Sequence, residues 1–161
     1  MPAPNFELIT ELQTLTRRDF SVADSNILKP LSSLPLVEGE WLELDGNYKL
    51  ARGTGTSPAS FIVHTERGRY DTQAIGKTNV LFAGQYEGET SMIEGAIGTF
   101  VTGYMVKLAA ITSGPNTGRV GLKICTAGVP VTGDVVVGVV TKVNATTGKV
   151  RFLHYSTTKS N

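Results

Sequence analysis

The sequence predicts a mainly β protein, built as a small β-barrel or β-sandwich and preceded by an N-terminal arm that is partly extended and partly a short helix. Three observations predict it: short runs of β-branched or alternating residues, turn signals about every dozen residues, and no long helical pattern after residue 36. The turn signals include Asp45-Gly46, Ser113-Gly114 and Thr147-Gly148. A barrel and a sandwich need the same alternation and the same turns, so both remain open.

Residues 1–35 differ from the rest and are predicted to form the arm. Asn5 is a good helix N-cap, and Phe6, Ile9 and Leu12 follow it at helical spacing. Pro30 then begins an extended connector, because proline disfavours helix at the residue before it. The connector carries leucines that a freely solvated linker does not need. We therefore expect the arm to dock on a neighbouring copy, on another protein or on its own body, through Phe6, Leu8, Ile9, Leu12, Leu15, Leu28, Leu31 and Leu34.

Residues 36–161 are predicted to form the β body. Asp45-Gly46 between two strand-like runs predicts a hairpin, and residues 144–148 predict a second hairpin near the end of the chain. Trp41, the sole tryptophan, is predicted to lie in the core or in an interface. The predicted strand regions are residues 37–44, 48–51, 60–65, 80–90, 104–111, 119–124, 134–143 and 149–155.

Charge is distributed unevenly, although the net charge is only +1. Residues 1–45 hold eight acidic and three basic residues, and residues 46–161 hold six acidic and twelve basic residues. An acidic leading segment and a basic body can attract each other, within one chain or between copies. The low charged fraction of 18% and the aromatic fraction of 7% argue against a nucleic-acid partner.

No catalytic residue, metal site or cofactor site is predicted. Cys125 excludes an intrachain disulfide because it is the single cysteine, and it follows an apolar run in which cysteine usually serves as a small buried hydrophobe. Pairing with His64 or His154 for nucleophilic catalysis is the alternative reading, which would make the protein an enzyme. Both histidines fall in predicted strands, where packing or surface roles are more common. The N-terminus predicts no signal peptide, and no apolar segment is long enough for a membrane span.

Two stretches of the body resemble small structural proteins of tailed bacteriophages. They are residues 64–87, from His64 through Arg67-Gly68-Arg69-Tyr70 to a Tyr-Glu pair at 86–87, and residues 133–154. The family is that of the capsid decoration, or cement, proteins, and the resemblance spans residues 36–156 in pattern without a diagnostic motif. It supplies no individual binding residue.

The resemblance implies a non-enzymatic virion protein, commonly a homotrimer, that binds the major capsid protein on the capsid exterior after assembly in the host cytoplasm. A terminal arm that reaches a neighbour is frequent in such proteins, which suits residues 1–35. Two alternatives remain open at this point. One is another phage structural component, such as a head fibre base, a tail tube or a connector. The other is a binding module for nucleic acid or carbohydrate, above all an oligonucleotide-binding β-barrel.

Overall fold

The computed structural model describes residues 6–9, 15–29, 31–64 and 76–161. Eleven strands are present in these ranges, and they form one large antiparallel sheet and two small ones. The strands are β1 (Phe6–Leu8), β2 (Thr16–Ser21), β3 (Trp41–Leu44), β4 (Leu50–Ala51), β5 (Ser60–Ile62), β6 (Lys77–Ala83), β7 (Tyr86–Thr90), β8 (Met105–Ala110), β9 (Val120–Ile124), β10 (Val135–Asn144) and β11 (Lys149–Lys159).

The large sheet has the strand order β1-β7-β11-β10-β8-β9. Its centre is the long β10–β11 hairpin, which follows from valine-rich strands on either side of the turn that contains Gly148 (φ 67°). The register of the hairpin shifts at two places in β10, between Val136 and Gly138 and between Val140 and Lys142. The strands bend at these irregularities. This bend brings the second half of β11 next to the small sheets.

The two small sheets pair β2 with β6, and β3 with both β4 and β5. Single bridges connect them at two places, between Val63 and Val80 and between Val22 and Leu50. The described strands form several antiparallel sheets that do not close into a barrel, and the fold is sandwich-like. The mainly β prediction is confirmed, and the sandwich is favoured over the barrel.

Two hydrophobic cores lie inside this arrangement. The first lies under the large sheet and contains the aromatic side chains of Phe6, Trp41, Tyr86 and Phe152. The second lies between the small sheets and is mainly aliphatic, with Leu42 and Leu50 completely buried. Burial of the apolar side chains in these two cores is the main favourable contribution to folding.

The N-terminal residues add strands to the body. Residues 6–8 are β1, which pairs with β7, so the predicted short helix is wrong over this part. The pairing is possible because Phe6 lies against Gly88, where even a Cβ atom would fall 2.4 Å from its ring. β2 pairs with β6 along its whole length. The predicted helix continues into residues 10–14, which lie outside the described residues.

A one-turn 3-10 helix, Ser25–Leu28, follows β2 and precedes the connector. It is capped by the Asp24 side chain, which accepts a hydrogen bond from the Asn26 N–H (2.9 Å). Two further 3-10 turns, Ile97–Thr99 and Thr126–Gly128, lie in the body. Among the described residues there is no helix with the length and apolarity that a membrane span needs.

The body strands confirm most of the predicted pattern. The Asp45-Gly46 hairpin joins β3 to β4, with Leu44 opposite Leu50, and the hairpin at residues 144–148 joins β10 to β11. The predicted strand at 80–90 is divided into β6 and β7 because the chain turns at Gly84, which has a φ of 101°. The two halves belong to different sheets, so this turn links the sheets.

Candidate functional site

A cavity of about 250 Å³ opens where the large sheet meets the small sheets. Aromatic rings dominate its wall, hydroxyl side chains lie between them, and the β6–β7 turn forms one rim. Its lining residues are Trp41, Pro58, Ser60, Phe61, Leu81, Phe82, Ala83, Gly84, Tyr86, His154, Tyr155, Ser156 and Thr157. None of these residues carries a carboxylate, an ammonium or a guanidinium group. We call this cavity the aromatic pocket.

His154 lies between two aromatic rings in the aromatic pocket. Its imidazole stacks on Tyr86, with ring centroids 4.6 Å apart at 17°, and lies 5.9 Å from the Trp41 ring. Burial lowers the pKa of His154 to about 4, so the ring is neutral at pH 7. Its Nε2 lies 3.1 Å from the Thr157 hydroxyl, whereas the buried Nδ1 has no hydrogen-bond partner. Burial also raises the pKa of the Tyr86 phenol, which stays neutral.

A stack of three phenylalanines supports one side of the aromatic pocket. Phe82 is 36% exposed and stacks on Phe61 at 5.4 Å and 28°. Phe20 lies behind both rings, at 5.8 Å from Phe82 and 6.0 Å from Phe61. The Arg18 guanidinium lies 5.1 Å from the centroids of Phe20 and Phe82, a cation–π distance. Phe82 is thus held in a fixed orientation although it faces solvent.

A second polar feature is a carboxylate with two arginines. The Glu40 side chain is completely buried. The Arg52 guanidinium group forms a hydrogen-bonded ion pair with it, and the Arg119 guanidinium group lies close to it. The same arginines donate to the connector, Arg52 to the Leu34 carbonyl and Arg119 to the Pro35 carbonyl, each at 2.7 Å. Each group of this cluster is used within the fold, so its role is to hold the connector on the body.

Exposed apolar side chains gather at another point, on two loops of the body. Tyr104 lies on Gly128, where a Cβ atom would fall 2.5 Å from the tyrosine ring, so the two loops are in contact. The exposed fractions are 38% for Tyr104, 45% for Val101, 63% for Val129 and 48% for Val131. We call these four residues the apolar loop patch. Exposed apolar side chains that two touching loops bring together mark interaction sites more often than scattered single residues do.

The predicted arm residues have separate locations. Phe6 is buried in the first core, against which Leu8 and Leu15 also pack, and Leu28 is buried in the second core. Ile9 is half-buried, and its N–H donates to the Glu87 carbonyl (2.8 Å). Leu34 is half-buried against Gly118, and Leu31 is 99% exposed. Leu12 lies outside the described residues.

Cys125 is buried, and burial raises the pKa of its thiol to about 11. The nearby Asp134 carboxylate adds to this increase. A nucleophilic cysteine needs a lowered pKa and an accessible thiolate, so the environment of Cys125 is that of a structural residue. Within the described residues, no group of three histidine, cysteine or carboxylate side chains is arranged to hold a metal ion.

Comparisons with known proteins found no family model, no curated protein and no solved structure that matches this chain.

Sequence reasoning considered Trp41 and His154 one at a time and did not place them together. They are more than a hundred positions apart, on β3 and β11, and they meet only because the β11 bend reaches the small sheets. One signal was available: the alternation in β11 puts His154 on the face shared with Val150 and Phe152, both completely buried. That alternation predicts a core-facing histidine, but not its partners.

Proposed function

We propose that this protein is a structural virion protein that binds the outside of an assembled phage capsid and stabilises it. The resemblance of residues 36–156 to capsid decoration proteins motivates the proposal. The observation that carries it in the structure is the apolar loop patch, an exposed apolar surface on hydrogen-bonded turns that is suited to protein contact. A rigid β body that carries such a patch suits a binding subunit.

The loops that carry the patch are braced from inside the body. The Asp134 carboxylate accepts hydrogen bonds from the Val131 N–H (3.0 Å) and from the Lys107 ammonium group (2.7 Å). The Tyr104 N–H and C=O are also bonded, to the Val101 carbonyl and the Val140 N–H. A braced surface loses little conformational entropy on binding, which favours affinity.

Stabilisation of the shell would follow from mass action. A ligand that binds only the assembled shell stabilises it by RT ln(1 + [L]/Kd) at each site, about 2.7 kcal/mol at a hundredfold excess over Kd. A symmetric oligomer would add avidity, because further contacts of the same oligomer become intramolecular. The major capsid protein is the partner in this proposal, and a homotrimer is the expected state.

Co-sedimentation with phage capsids that lack this protein tests the proposal, over a range of salt concentrations. We expect saturable pelleting at a fixed ratio to the capsid subunit. A double variant with Val129→Ser and Val131→Ser should pellet at least about tenfold more weakly, because apolar contact drives the binding. Tyr48→Asn, at an exposed residue of the β3–β4 hairpin with a positive φ of 62°, is the matched control and should bind normally.

Absence of pelleting by the folded protein at every salt concentration would reject the decoration role for those shells. Self-assembly of the purified protein into rings or tubes would instead favour a tail or connector component. Equal binding by the double variant and the wild type would show that the apolar loop patch is not part of the capsid interface.

A further inference from the structure

The aromatic pocket has no role in the proposed capsid contact, because none of its lining residues belongs to the apolar loop patch. It is also not simply a packing defect: its wall combines ring faces, hydroxyl groups and an imidazole with an unpartnered nitrogen. Native interiors rarely leave such polar atoms unpaired, and those that remain call for a specific explanation.

We propose that the aromatic pocket is a binding site for a neutral saccharide, with one pyranose ring held inside it. A pyranose has an apolar face of C–H groups and a polar edge of hydroxyl groups. The C–H face packs on the electron-rich face of an aromatic ring, and the hydroxyl groups need donors and acceptors close by.

The aromatic side of this match is the ring platform of Phe61 and Phe82. Phe82 is 36% exposed and is held by contacts with Phe20, Phe61 and Arg18, so its ring is already oriented before a ligand arrives. Tyr155, 37% exposed, lines the aromatic pocket as well. Preorganised rings lower the entropy cost of binding, which matters for a small ligand with few contacts.

The polar side of the match comes from β11 and β5. The Thr157 hydroxyl is held by His154 Nε2 at 3.1 Å and keeps lone pairs for a ligand. The Ser60 hydroxyl donates to the Ser57 carbonyl at 2.7 Å and can accept a second bond. Ser156 adds a third hydroxyl to the lining. These few polar groups among apolar walls are the usual composition of a small-molecule site.

The charge of the lining decides between ligand classes. A phosphate or a carboxylate would need a cationic partner, and among the described residues that line the aromatic pocket none provides one, since His154 is neutral. A purely apolar occupant, such as a leucine side chain of another protein, would leave the remaining acceptor capacity of the Thr157 and Ser60 hydroxyl groups unused. A neutral polyhydroxylated ligand needs no cationic partner, and its hydroxyl groups can form hydrogen bonds with those of the aromatic pocket.

The size of the aromatic pocket limits the ligand further. Its volume of about 250 Å³ lies just below the usual range of ligand sites, about 300–1,000 Å³. One sugar ring fits this space, and a longer glycan would extend from it into solvent. We therefore expect weak binding of single sugars, with a Kd of about 1 mM.

Trp41 gives a direct readout, because it is the only tryptophan of the chain and lines the aromatic pocket. The probes are glucose, galactose, mannose and N-acetylglucosamine, titrated into the full-length protein to about 50 mM while tryptophan fluorescence is recorded. We expect a saturable change with at least one of them, and saturation-transfer NMR on the sugar protons should give the same Kd.

Phe82→Ala removes the exposed ring and should weaken that binding at least about tenfold, and Thr157→Val should weaken it severalfold. Both positions are at least partly exposed, so the variants should fold, which circular dichroism checks. Tyr48→Asn is the matched control: it removes an exposed aromatic ring outside both the aromatic pocket and the apolar loop patch, suits the positive φ of 62°, and should leave sugar binding unchanged.

Three results would overturn the proposal. The first is the lack of a saturable response to all four sugars, and the second is binding that Phe82→Ala does not affect. Fluorescence responses only to proline-rich or tyrosine-containing peptides would assign the aromatic pocket to a protein partner and overturn it too. Capsid co-sedimentation tests the apolar loop patch and not the aromatic pocket. The capsid-binding proposal and the saccharide proposal can therefore fail independently.

Discussion

Glu40 and Arg119 form a buried ion pair that joins the beginning of β3 to the beginning of β9. The Glu40 Oε2 lies 3.4 Å from the Arg119 Nε, with the Glu40 side chain completely buried and that of Arg119 6% exposed. The Nε has no aligned hydrogen bond, so this contact acts through charge attraction. Arg52 donates hydrogen bonds to both oxygens of the same carboxylate, and the Val37 N–H donates to its Oε2 (3.4 Å).

Glu40→Gln should destabilise the fold by about 3–5 kcal/mol, because it leaves two arginines near the interior without their counter-charge. Burial already lowers the pKa of Arg119, and the Glu40 carboxylate is the group that opposes this effect. Urea unfolding measures the loss. Glu89→Gln is the control: its ion pair with Arg151 is longer, at 3.8 Å, and more exposed, so it should cost less than about 1 kcal/mol. Equal losses in both variants would contradict the special role of Glu40.

Phe6→Ala should cost about 3–5 kcal/mol, because the ring is 2% exposed and fills the first core. Leu31→Ala should change the free energy of unfolding by less than about 0.5 kcal/mol, since Leu31 is 99% exposed. The two residues were predicted to act together as arm contacts, so the pair tests whether the leading segment is core or a separate arm. A stability of Phe6→Ala equal to that of the wild type would favour the separate arm.

The stability of the protein should fall as the pH is lowered from about 6.5 to about 4. His154 has a pKa of about 4 in the folded protein and about 6.5 when unfolded, so the unfolded state binds the proton first. This stabilising contribution is complete above pH 6.5 and is lost toward pH 4, up to about 3 kcal/mol. Denaturant midpoints at several pH values measure it. His154→Gln should flatten the curve in this window, and an unchanged slope would reject the assignment.

Gly138→Ala should cost about 2–3 kcal/mol, because its Cβ would fall 2.0 Å from the Leu153 carbonyl oxygen in the β10–β11 hairpin. The obstacle is backbone, which cannot move aside cheaply as a side chain end would. Gly46→Ala is the control, with no atom within 4 Å of the added methyl group. Thermal unfolding of both variants gives the comparison, and a Gly138→Ala variant as stable as the control would show that the hairpin can shift.

The Cys125 thiol should resist labelling in the folded protein. A pKa of about 11 leaves about one thiolate per thousand molecules at pH 8, and the side chain is buried. A disulfide reagent such as Ellman's reagent should react only after unfolding in urea, at the rate of an ordinary cysteine. Rapid labelling of the folded protein would contradict the buried position and reopen a nucleophilic role for Cys125.

The sequence by itself determined the local features. β-branched runs such as that from Val135 to Val143 predict strands, and the Asp-Gly and Thr-Gly turns predict the hairpins that join β3 to β4 and β10 to β11. These signals act between residues close in the chain, where backbone preference and turn geometry are sufficient. Trp41 was likewise correctly placed among core candidates from its residue type, and it is 2% exposed.

Only the tertiary structure decided which distant residues meet. The spacing of Phe6 and Ile9 predicts a helix, but this segment forms β1 and pairs with β7. The sheet edge and the space above Gly88 bury the Phe6 ring more fully than an isolated turn of helix would. The approach of His154 to Trp41, and of Arg119 to Glu40, depends on sheet order and on the bend in the hairpin. Long-range pairing is set by the sum of all packing contacts, which no local pattern contains.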